Sequence, residues 1–110
     1  MLKGDKMNLN NQFDLFNKRY FNNKLKKIPV FIKKMNDAYG LYNYDKNILI
    51  DTGLNQNQRK NILLHEMCHH AVHTLDGNDY HHHGVKWKER MRSCGFTGRI
   101  DKFAALVKRN

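Results

Sequence analysis

The chain has 110 residues, enough for one buried core but hardly two, and its 40% hydrophobic and 11% aromatic content excludes wholesale disorder. No run approaches the ~18 apolar residues of a membrane span, and Met1-Leu2-Lys3-Gly4-Asp5-Lys6 does not lead into the apolar stretch of a signal peptide. The formal charge of +10, from 20 Lys and Arg against 10 Asp and Glu, favours phosphate backbones or acidic surfaces as partners, although lysines spread over a solvated surface also simply keep a protein soluble.

These bounds give the expectation of one globular, cytoplasmic, monomeric domain over residues 1–110, with a core over about 8–108 and no membrane partner. The only cysteines, Cys68 and Cys94, do not form a Cys-x-x-Cys pair and fall short of a disulfide framework, so both are expected as reduced thiols. Basic residues gather at Lys24 to Lys27, at Lys33-Lys34 and from Lys86 to Arg92.

Along the chain, Leu9, Phe13, Phe16 and Tyr20 recur at steps of three and four, which predicts an amphipathic helix over about 8–22 with an aromatic stripe facing the core. Ile28-Pro29-Val30-Phe31-Ile32 is β-branched and aromatic and reads as a strand, with Pro29 placing it near a strand start or a sheet edge. Tyr39 to Asn43 and Ile48 to Asp51 flank Tyr44-Asp45-Lys46-Asn47, whose Asp and Asn suit the turn of a hairpin. A second helix is predicted from an N-cap at Asn55 to about Leu75, stopping at Gly77, with Leu64, Met67 or Cys68, Ala71 and Leu75 inward. After a loop rich in Gly, Asn, Asp and His, Trp87, Met91 and Cys94 mark a third helix capped by Gly95. Phe103, Ala104, Leu106 and Val107 suggest a short fourth one. Helix, small three-stranded sheet, then helices define an α+β domain.

The second helix carries His65-Glu66-Met67-Cys68-His69. Histidines four apart lie on nearly one face, so both imidazoles can reach a single ion, while Glu66, about 100° around the helix, can stand beside the ion without ligating it. This is the zincin arrangement. Zinc with an open water position polarises a carbonyl and lowers the pKa of its water to about 7, and a carboxylate such as Glu66 takes the proton as catalytic base. A third ligand is sought in His81-His82-His83, and His83 is chosen because Gly84 lets backbone approach the metal and Trp87 packs the next turn down. His81 and His82, read as exposed, remain the alternatives. His70 is expected to point away, His73 to line the cleft without ligating, and Cys68 to be core. Tyr80 or His73 is the candidate oxyanion donor.

The same residues, His65-Glu66-Met67-Cys68-His69 and then His83-Gly84 with Trp87, resemble the SprT-like metallopeptidases, the group that includes Spartan. Phe13-Asp14-Leu15-Phe16-Asn17-Lys18-Arg19-Tyr20-Phe21 with Lys24-Leu25 is similar to that family's N-terminal helix, and Tyr39-Gly40 with Ile48-Leu49-Ile50 to its hairpin. The resemblance implies a zincin-like minimal metallopeptidase domain, with zinc held by His65, His69 and His83, Glu66 as acid/base, and a protein or peptide substrate. In the Spartan branch it implies digestion of proteins crosslinked to DNA. Many members carry a Cys-rich C-terminal zinc ribbon, which two cysteines cannot form. The leading expectation is therefore a zinc endopeptidase acting on DNA-associated proteins. The alternatives are a nucleic-acid-binding module with little catalysis and a zinc hydrolase of a non-peptide substrate.

Overall fold

The computed structural model describes residues 8–77 and 83–96. Helix α1 spans Leu9–Tyr20 and is capped by Asn8, whose side-chain oxygen accepts from the Asn10 and Asn11 amides. It buries Leu9 and Phe13 as its period requires. Phe16 and Tyr20, expected on the same stripe, are only partly buried, and Asn17 occupies the buried position instead. The reason is a hydrogen-bond demand. Asn17 donates to the Leu25 carbonyl at 3.0 Å and accepts the Leu25 amide at 3.1 Å, pairing backbone groups that no strand reaches. Two turns earlier Asn10 makes the same double bond to Val30, at 3.1 and 2.8 Å. Between these anchors Asn22 and Asn23 take left-handed backbone, a conformation Asn tolerates better than most residues.

Strand β1 is Val30–Lys33, β2 is Gly40–Asn43 and β3 is Asn47–Asp51. The sheet order is β1-β3-β2, with β1 parallel and β2 antiparallel to β3. The hairpin lies where Asp and Asn predict it, with Asp45 at φ 61°. Side-chain alternation turns Val30, Tyr42, Ile48 and Ile50 inward and leaves Phe31 and Leu41 outward. Among the described strands β1 and β2 are the edges, and β2 and β3 lie against the helix that follows.

Helix α2, Gln56–Thr74, begins with a reciprocal cap: Asn55 accepts the Gln58 amide and Gln58 accepts the Asn55 amide, both at 2.9 Å. It closes at Leu75 ahead of Gly77, whose φ of +82° strains any residue with a Cβ. Every residue from Ile62 to Val72 is buried, so a single inward stripe does not describe this helix. It is enclosed by β2 and β3, by α1 and by the helix that follows it, and histidine and glutamate therefore enter the core with Leu63 and Met67. Leu75, assigned to the inward stripe, lies beyond that enclosure and is exposed.

Helix α3, Val85–Ser93, follows Gly84, buries Trp87 and Met91, and ends at Cys94 before Gly95. Asp76, just past α2, takes Arg90 in a two-point ion pair at 2.7 and 2.8 Å and accepts Lys86 on its carbonyl, which fixes α3 against the end of α2. The fourth helix expected around Phe103 to Val107 lies outside the described residues. Among the described residues, no helix is long and apolar enough to cross a membrane.

Candidate metal centre

His65 and His69 project from successive turns of α2, and their Nε2 atoms stand 3.3 Å apart. His83, at the entry to α3, brings its Nε2 to 3.3 Å from that of His65. One ligand atom from each of the three lies within 4.8 Å of the others. Two nitrogens at ~2.0–2.1 Å from a tetrahedral ion are separated by about 3.4 Å, so this cluster has the span to hold a metal ion. His65 is fully buried and His69 nearly so, whereas His83 is half-buried. The cluster therefore meets solvent on the α3 side. His81, His82 and Tyr80 lie outside the described residues.

Trp87 explains why the histidines on two elements stay in register. Its ring, fully buried, stacks on His69 at 5.5 Å and 18° and packs against His83 at 4.5 Å, while its Nε1 donates to the His65 carbonyl at 3.3 Å. One indole thus touches all three imidazole-bearing residues. The four-residue step from His83 to Trp87 across Gly84 sets them one turn apart along the start of α3.

Glu66 points from the same helix toward the sheet. Its carboxylate is fully buried, has no hydrogen-bond partner among the described residues, and lies 3.9 Å from His65 Nε2. Burial pushes its carboxyl well above the usual carboxylate range. The wall behind it is Gly40 of β2. A Cβ at that position would strike Ile62 Cγ2 and come within 3.0 Å of Glu66 Oε2, so only glycine lets the edge strand lie this close to α2. A buried carboxyl without a partner is costly in a core. Beside three converging imidazoles it is instead a group suited to an ion-bound ligand, and the donor set fits a metal on both counts.

The remaining histidines depart from expectation or extend it. His70 points away from the cluster as expected, but into the core, where it is fully buried. Its Nε2 donates to the Lys26 carbonyl at 2.8 Å, so its Nδ1 accepts from the Tyr42 hydroxyl at 2.7 Å, and the Asp45 amide donates to that hydroxyl at 3.0 Å. Burial raises the Tyr42 hydroxyl to about 12 and lowers His70, which keeps both neutral. His73 stacks on Tyr44 at 4.7 Å and 24°, at the hairpin turn. Cys68 is core as expected, in contact with Cys94.

Sequence reasoning missed the roles of Gly40, Tyr42 and His70. A signal existed: His70 stands four residues after Glu66, on the helix face that meets the sheet, and alternation turns Tyr42 inward to receive it.

A long buried helix presents two histidines one turn apart to a third at the entry to the next helix, and inside this small α+β domain the three form a cluster that could hold a metal ion. The SprT-like family model matches residues 9–108, and the chain belongs to the SprT-like family. No curated protein matches it.

Proposed function

We propose that this chain is a zinc-dependent endopeptidase of zincin-like build, in which His65, His69 and His83 hold the metal and Glu66 is the general base. The observation that carries the reading is the pairing of two 3.3 Å Nε2 separations with a buried carboxylate that has no hydrogen-bond partner among the described residues. Family membership supports it, because SprT-like proteins are generally linked to metallopeptidases.

A bound zinc ion supplies Lewis acidity toward a peptide carbonyl and an acidified water. The chain supplies the rest. Glu66 accepts a proton at its carboxylate and returns it to the leaving amine nitrogen, and its buried position against Gly40 raises its proton affinity. Trp87 fixes the imidazole planes, and its bond to the His65 carbonyl ties α3 to α2. The half-exposed His83 side leaves an approach for an extended polypeptide.

The excess of +10 supports proteins bound or crosslinked to DNA as substrates, through screened attraction of the enzyme to the phosphate backbone. The test is cleavage of a basic, unstructured protein by wild type and by Glu66→Gln, with and without DNA and across a salt series. Cleavage lost in Glu66→Gln with zinc retained is the expected result, and stimulation by DNA should fade as salt rises. Salt-sensitive DNA binding in both forms, with no cleavage by wild type, would select a nucleic-acid-binding module instead.

A further inference from the structure

Behind the metal centre, the mechanism leaves two nucleophilic side chains unused. Cys68 Sγ and Cys94 Sγ are 3.9 Å apart in the buried seam between α2 and α3, 26 residues apart in sequence. Cys68 stands between His65 and His69 on α2. Cys94 closes the C-terminus of α3, whose first turn carries Trp87. We propose that Cys68 and Cys94 form a reversible dithiol/disulfide site which, when oxidised, staples the helix bearing two of the site histidines to the helix bearing Trp87.

The geometry favours closure within the chain. Contact of two sulfurs across one seam needs a side-chain adjustment of about 2 Å to reach bonding distance. Cys94 is the entry point. It is 5% exposed where Cys68 is fully buried, and the adjoining Gly95 presents no side chain: among the described residues, a Cβ there would meet nothing within 4 Å. The hydrogen bond from Cys68, helped by the nearby Arg90 guanidinium, draws the Cys94 thiol below its ordinary range, which suits it to attack first.

The oxidant class is a low-molecular-weight disulfide such as oxidised glutathione. Cys94 thiolate attacks one of its sulfurs, forming a Cys94–glutathione mixed disulfide and expelling one glutathione thiolate. Cys68, giving up its proton, then attacks Cys94 Sγ, forms the Cys68–Cys94 bond and expels the second. The two protein thiols lose two electrons and two protons, and the small disulfide is reduced to two thiols.

The experiment incubates the natively folded full chain with oxidised glutathione, quenches with acid, alkylates under denaturing conditions and maps peptides by mass. The expected product is a monomer that has lost two hydrogens, takes up no alkylating agent, yields a Cys68–Cys94 linked peptide and reverts with dithiothreitol. Its thermal midpoint should rise by several degrees. Cys68→Ala should accumulate the stable Cys94–glutathione adduct, because no second thiol resolves it, and Cys94→Ser should stay unmodified at Cys68. Wild type that keeps two alkylatable thiols, that holds glutathione adducts without closing, or that gives only intermolecular dimers would overturn the proposal.

Discussion

Glu66 is the residue on which the proposed chemistry turns, and its surroundings make a statement about stability as well. A carboxyl that is neutral and buried when folded but ionised when unfolded contributes stability that is full below its unfolded pKa of 4.5 and is lost as pH rises through the higher folded value. In chelator, the metal-free wild type should therefore weaken relative to Glu66→Gln as pH rises above about 4.5. Urea midpoints of the two proteins, compared at each pH, measure this, and parallel pH profiles would count against a Glu66 carboxyl whose burial favours its neutral form. With metal supplied, the same substitution should leave metal content intact and reduce cleavage by about 10²-fold or more.

His70 and Tyr42 belong to the same scale but to a different task. Each uses its polar atoms on a neighbour: Asp45 amide to Tyr42, Tyr42 to His70, His70 to the Lys26 carbonyl. The chain of bonds ties α2 to the hairpin turn and to the segment leading into β1. Tyr42→Phe leaves His70 Nδ1 buried and unpaired, and should cost about 1–3 kcal/mol in chemical denaturation while metal content is unchanged. A loss below a few tenths of a kcal/mol would mean the bond contributes little.

At the scale of elements, α2 and α3 form one working unit, because the imidazole cluster is divided between α2 and the entry to α3. Asp76 holds their relative angle through Arg90 and Lys86, both outside the cluster. Asp76→Ala should release α3 and lower metal affinity by about 10-fold, with the loss appearing in competition against a chromogenic chelator. Unchanged affinity would mean Trp87 alone fixes the angle. Much of this scale was legible in the sequence. Asn55 and Gly77 bracket α2 as caps should, and the turn residues place the hairpin within one residue of its observed position. What periodicity could not supply is the number of neighbours a helix has. An apolar stripe is inferred on the assumption of one packing partner, but among the described elements α2 packs against four, so polar His70 is interior and apolar Leu75 is not. Asn17 misled in the same way: its burial depends on backbone groups at Leu25, which no local pattern reveals.

For the molecule as a whole, one core runs from Leu9 and Phe13 of α1 through Ile48 and Ile50 of the sheet to Trp87 and Met91 of α3, with α2 at its centre. The site is thus embedded in the hydrophobic interior, and metal binding to the folded chain should add to stability by mass action. His65 and His69 were readable as a pair from spacing alone. His83 was chosen from the sequence on its neighbours Gly84 and Trp87, with His81 and His82 left as alternatives; among the described residues it is His83 that meets the helix 14 residues earlier.

The central claim, that three histidines on two elements share one metal ion, is tested most directly by metal analysis of the purified chain beside His83→Ala. One equivalent of zinc in wild type, lost in a variant whose circular dichroism remains that of an α+β fold, is the predicted result. Full zinc occupancy in His83→Ala, or no zinc in wild type after reconstitution, would contradict it.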